Sequence, residues 1–192
     1  MNQKYIYLVF TKTGTWLSNL ICTFSHIKYA HSSISFDSQF TEMYSFGRTI
    51  PDNPFSGGFV VENLYEGVFR KFSGCECLIY SVKVTEEQYS SLQQQIENFL
   101  REKDKYKYNF LGLFGVLLNK PIKRECRYFC SQYISEILIN STVLKSEKVP
   151  ELISTKELLT IENKEMIYKG LVNQYCGTVS DLKGIANVDM QF

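Results

Sequence analysis

Apolar positions change their period several times along this chain, and each change predicts an element. The run Tyr5-Ile6-Tyr7-Leu8-Val9-Phe10 is short and nearly continuous, which predicts a buried strand over residues 4–10. Between Gly14 and Phe24, the residues Trp16, Leu17, Leu20, Ile21 and Phe24 fall on one face of a short helix. Residues 31–36 and 40–46 then alternate, with Asp37-Ser38-Gln39 as a short turn between them, so a hairpin is expected. From Gly47 to Gly58 the chain carries Pro51, Asp52, Asn53, Pro54 and Gly57, a density of breakers that predicts an irregular loop able to wall a site.

Cys77 to Val84 reads as a further strand, with Leu78, Tyr80, Val82 and Val84 on one face, and it runs into a well-marked helix start. Thr85 and Gln88 have capping-box spacing, Glu86 and Glu87 sit in the first turn, and Arg101 and Lys103 close the last. Tyr89, Leu92, Ile96, Phe99 and Leu100 line one side of that helix. Tyr106 to Lys120 reads as a Tyr/Gly/Leu loop whose backbone approaches a site. Phe129, Tyr133, Ile134, Ile137 and Leu138 mark the buried face of an amphipathic helix beginning near Cys130. Ser154 with Glu157 starts another short helix, Met166 to Val172 forms a late strand, and the tail from about residue 177 carries little pattern. The result is a chain of strands and helices, one domain over 1–192, without repeats.

Composition narrows the classes. The chain has 192 residues, 44% of them hydrophobic, enough for one substantial core. A formal net charge of +1 gives no global field to hold a polyanion, so nucleic acid is not the expected partner. No stretch has the length of a membrane span and no small-residue cleavage site follows the first apolar run, so a soluble, cytoplasmic protein is expected. The six cysteines at 22, 75, 77, 126, 130 and 176 do not form a disulfide framework, and free thiols are expected. Cys75-Glu76-Cys77 invites a metal reading, but no second pair at zinc-finger spacing follows, so neither metal nor cofactor is expected.

Chemistry gathers at Cys130. A helix N-terminus favours thiolate over thiol, because its unpaired N–H groups and dipole stabilise the anion. A cysteine nucleophile needs a base, and only His26 and His31 are available. His31 opens an alternating strand that it shares with Ser33 and Ser35, and is preferred to His26, which lies in a connection. The orienting group for the imidazole is expected from the next strand: Glu42 by preference, because a carboxylate stabilises imidazolium best, with Tyr44 or Ser45 as alternatives that depend on hairpin register. Lys120, Lys123, Arg124 and Arg127 form a basic cluster close enough in sequence either to help lower the thiol pKa or to meet an anionic substrate.

Three segments in this order, Tyr29-Ala30-His31-Ser32-Ser33-Ile34, Met43-Tyr44-Ser45-Phe46-Gly47-Arg48 and Tyr128-Phe129-Cys130-Ser131-Gln132-Tyr133, resemble the circularly permuted papain-like hydrolases, the YiiX and lecithin:retinol acyltransferase branch of the NlpC-type superfamily. In that branch the histidine strand precedes the nucleophile helix. The resemblance spans roughly residues 4 to 172. It implies an α+β fold, circularly permuted papain-like, with an antiparallel sheet packed on a helix that carries the thiol, Cys130 as nucleophile and His31 as base. The family's third polar residue falls near Met43, which cannot orient an imidazole, so Glu42, Tyr44 or Ser45 must substitute. The expected activity is a thiol hydrolase or acyltransferase on a small-molecule, peptide or lipid acyl substrate, through an acyl-enzyme. The rival expectation is an inactive module of the same fold that binds a peptide or lipid.

Overall fold

A computed structural model describes residues 3–13, 27–50, 53, 56–175 and 177. The helix expected over Gly14–Phe24 lies outside these residues, as do His26 and the tail past Gly177. The framework is a six-stranded antiparallel sheet in the order β4-β3-β2-β1-β5-β8. Its strands are β1 (Lys4–Lys12), β2 (His31–Ser35), β3 (Met43–Arg48), β4 (Gly57–Glu62), β5 (Glu76–Val84) and β8 (Lys164–Leu171). Among them lie α1 (Gly67–Lys71), α2 (Glu86–Arg101), α3 (Phe110–Leu117), α4 (Cys130–Asn140) and α5 (Thr155–Leu158). Two short strands, β6 (Lys107–Tyr108) and β7 (Arg127–Tyr128), pair in parallel apart from the main sheet.

Alternation along the strands builds a core on each face of the sheet. Ile6, Leu8, Phe10, Ile34, Phe46, Phe59, Leu78 and Val82 pack with Leu92, Ile96 and Phe99 of α2 and with Tyr133, Ile134, Ile137 and Leu138 of α4. Val9, Met43, Cys77 and Ile79 meet Phe40, Leu64, Phe69 and Val172 on the other face. The capping boxes at Thr85 with Gln88 and at Ser154 with Glu157 both form, and they start α2 and α5.

Three expectations need correction. The hairpin connection is longer than three residues: β3 starts at Met43, because the Asp37 carboxylate accepts the backbone N–H groups of Gln39 (2.7 Å) and Thr41 (2.9 Å) and holds the chain in a turn. The irregular loop after Gly47 gives way to strand β4 at Gly57, where Phe59-Val60-Val61 supplies the β-favouring residues. The Tyr106–Lys120 loop contains β6 and the helix α3. Its N-cap Asn109 accepts from the Gly112 N–H at 3.1 Å, and it ends in a Schellman turn with Asn119 at φ +51°, where Lys120 N–H donates to Gly115 O at 2.9 Å.

Candidate active site

Cys130 is the first residue of α4, as the pattern predicts, and is 2% exposed. The N-cap is Phe129, whose side chain caps nothing, so the N-cap residue leaves the first-turn N–H groups uncapped. The sulfur sits 3.7 Å from Ala30 O, to which it donates when protonated, and it meets the His31 imidazole. The structure therefore brings the two residues together, with His31 at the start of β2.

The imidazole is held from its far side by a group that sequence reasoning missed. His31 Nε2 lies 3.0 Å from both carboxylate oxygens of Glu62, and Ser33 donates its hydroxyl to Glu62 Oε2 at 2.6 Å. With Nε2 so engaged, Nδ1 is the nitrogen left for the thiol. His31 is on β2 and Glu62 on β4, so the carboxylate has to cross β3. It crosses at Gly47: a Cβ there would lie 3.1 Å from Glu62 Oε1 and 3.5 Å from His31 Cε1. A side chain at this position would occupy the path of the carboxylate.

Glu42 is not brought to His31. The two strands pair with Ile34 opposite Tyr44, a register that puts Gly47, not Glu42, beside His31. Glu42 lies at the other end of the hairpin, exposed, where its carboxylate accepts from the Tyr44 hydroxyl. Ser45 is spent on the Ser32 carbonyl at 2.7 Å. None of the three expected orienting residues serves His31. A Glu closing the Phe-Val-Val run just past the breaker-rich segment was the available signal for Glu62.

The electrostatics follow from this geometry. Burial opposes a charged His31, yet the Glu62 carboxylate and the Cys130 hydrogen bond hold its pKa well above 6.5. Burial likewise opposes a Cys130 thiolate, but the hydrogen bond and charge of His31 outweigh it and lower the pKa. Ser32 adds its backbone N–H, while its buried hydroxyl has no hydrogen-bond partner among the described residues. The leading groups at the sulfur are thus His31 and Ser32. The basic cluster is not among them, and Lys123 acts instead on Glu136.

One more group reaches the sulfur. Pairing of β6 with β7 sets Tyr108 beside Tyr128, two residues before Cys130, and the Tyr108 hydroxyl hydrogen-bonds Cys130. Burial and the neighbouring thiolate push the Tyr108 pKa well above 10, so the hydroxyl stays protonated and donates. Gly57 makes room for it, since a Cβ there would fall 2.6 Å from Tyr108 Cβ. A groove of about 800 Å³ runs along β4 with Arg48, Glu66 and Lys103 in its walls. It reaches Glu62 but has neither His31 nor Cys130 in its lining, so it flanks the site.

Among the described residues no group of His, Cys, Asp and Glu is arranged to hold a metal ion, and no helix is long and apolar enough to cross a membrane. Cys75 and Cys77 sit in the second core, where burial pushes both thiols up to about 12. Compared with protein-family models, curated proteins and solved structures, the chain matches none.

Proposed function

We propose that this protein is a thiol hydrolase or acyltransferase of permuted papain-like architecture, in which Cys130 attacks the carbonyl of an amide, ester or thioester. The observation that carries this reading is the unbroken chain Cys130–His31–Glu62, drawn from a helix and two strands that are not adjacent in the sheet. The thiolate adds to the carbonyl carbon, and the oxyanion so formed lies near the uncapped backbone N–H of Cys130. His31 gives its proton to the leaving group, leaving an acyl-cysteine. Water or an acceptor then yields a proton to His31 and attacks the acyl carbon, which regenerates the thiolate. Glu62 and Ser33 keep the ring oriented through both halves. Tyr108 donates to the sulfur in the resting state, and the same hydroxyl is the candidate to follow the charge onto the oxyanion. Small-molecule, peptide and lipid acyl groups all remain within this chemistry.

A second reading, a module of the same fold with an inert thiol, draws on the 2% exposure of Cys130. Intact-mass spectrometry separates the two. Incubated with a panel of nitrophenyl acyl esters and aminoacyl nitroanilides, the wild type is expected to gain one acyl mass that Cys130→Ala does not. The hydrolase reading fails if neither protein gains mass and Cys130 alkylates no faster than Cys75 or Cys77.

A further inference from the structure

The helix α3 is packed inside out. Its sequence, Phe-Leu-Gly-Leu-Phe-Gly-Val-Leu, turns its two glycines inward: a Cβ on Gly112 would lie 2.9 Å from the Phe129 ring, and one on Gly115 would lie 2.6 Å from Lys120 O. The large side chains are left outside, with Leu111 53%, Phe114 59%, Leu117 43% and Leu118 69% exposed. At 100° per residue these four span an arc of about 120°, a continuous apolar stripe on a protruding helix. Such a stripe is unfavourable in water and marks a surface that meets something apolar.

The flank states the charge of that partner. The Schellman turn delivers Lys120 at the end of the stripe, and Lys123, Arg124 and Arg127 follow with Glu125 as the one acid among them, in a chain whose formal net charge is only +1. Lys120 and Lys123 are exposed. These cations are not among the leading influences on the Cys130 thiol. A second copy docked through the same face would bring these cations together across the contact, whereas a surface both apolar and anionic satisfies stripe and flank at once. The convex helix also suits a flat layer better than a peptide, which needs a groove.

We infer that α3, with Lys120 and Lys123, is a docking surface for an anionic phospholipid layer, into which Leu111, Phe114, Leu117 and Leu118 insert. The surface is independent of the thiol chemistry and stands whether or not Cys130 is a nucleophile.

The test is co-sedimentation of the full chain with vesicles of phosphatidylcholine alone and of an equal mixture with phosphatidylglycerol. Binding is expected on the mixed vesicles, weakening as salt is raised, with little on the neutral ones. Phe114→Ser with Leu118→Ser should reduce the bound fraction about tenfold or more, and Lys120→Glu with Lys123→Glu should abolish the preference for anionic lipid. Both pairs of substitutions lie on exposed side chains, and circular dichroism together with unchanged Cys130 alkylation checks that the fold and the thiol site are intact. No binding to the mixed vesicles, or equal binding by wild type and the serine variant, overturns the inference. So does a dimer by light scattering that the serine variant dissolves, or saturable binding of an acidic peptide in place of vesicles.

Discussion

Cys130, Cys75 and Cys77 are withdrawn from solvent to nearly the same degree, at 2%, 1% and 0% exposure, yet their thiols move in opposite directions. Burial is the leading influence on all three and raises each pKa. Around Cys75 the remaining neighbours are the carboxylates Glu62 and Glu76, and around Cys77 the neighbour is Cys75, so nothing offsets burial and both thiols are pushed up to about 12. At Cys130 the cationic ring of His31, with the backbone N–H of Ser32, reverses the sign. Burial alone therefore says little about whether a cysteine is reactive. Its partner decides.

The strongest way to break the contrast is to remove that partner. His31→Ala leaves Cys130 buried with no cation, so its alkylation should slow at pH 7, by up to about tenfold for each unit its pKa rises above 7. Its inflection should climb past the free-thiol value of about 8.5 and toward the behaviour of Cys75 and Cys77. A pH series of iodoacetamide rates with peptide mass mapping reads all three thiols in one sample. An unchanged Cys130 profile in folded His31→Ala would mean that the two residues are uncoupled.

Glu62→Gln is the next smaller step, since it keeps the shape and removes the charge. The His31 pKa should fall toward 6.5, read from its ring carbon resonance by NMR, and Cys130 alkylation at pH 7 should drop about threefold to tenfold. Stability carries a matching signature. The folded His31 value lies above the unfolded 6.5, so its contribution is fully present below about pH 6.5 and is lost as pH rises through the folded value. Wild type should exceed Glu62→Gln in urea resistance most at about pH 6, with the gap narrowing above. A gap that widens with rising pH would contradict the pairing. Glu42→Gln, which alters only the far end of the hairpin, should leave both readouts where they are.

Tyr108→Phe should act more weakly. It deletes one neutral donor to the sulfur and leaves His31 in place, so the Cys130 inflection should rise by less than a unit and alkylation at pH 7 should slow by about threefold. If Tyr108 also follows the charge onto an oxyanion, acylation by an ester should fall more than alkylation does, because iodoacetamide forms no oxyanion. Equal losses in the two assays would confine Tyr108 to the resting thiol.

Much of this contrast is legible in the chain, and its gaps have physical causes. Cys130 and His31 could be read because each lies at the start of an element whose periodicity is clean. The identity of the orienting group could not, because it depends on a carboxylate crossing an intervening strand. Local alternation proposes partners on the neighbouring strand, while strand order and a single glycine decide which side chain gets through. Tyr108 was hidden for a different reason: β6 is two residues long, too short to show a period, and it is held by parallel pairing with a segment about twenty residues away. The apolar run of α3 was similarly opaque, since its glycines read as loop when they are in fact its packing face.

Gly47 is where the comparison can be adjusted most finely, because it touches neither the sulfur nor the proton. A Cβ at this position would lie 3.1 Å from Glu62 Oε1 and 3.2 Å from Val60 Cγ2, close enough that both must yield by a few tenths of an ångström. Val60 is held in β4, opposite Ser45, so the carboxylate is the freer of the two to move. Gly47→Ala should therefore cost about 1 kcal/mol of stability from crowding, seen as a lower urea midpoint with unchanged slope. It should also loosen the Glu62–His31 contact enough to lower the His31 pKa slightly and raise that of Cys130. The two effects separate in the double variant: once Glu62→Gln has removed the charge, adding Gly47→Ala should still lower the midpoint but no longer shift the thiol. A thiol shift of the same size in both backgrounds would mean that Gly47 acts on Cys130 by some route other than the carboxylate, and the crossing at β3 would lose its role in setting the reactive cysteine apart from the inert pair.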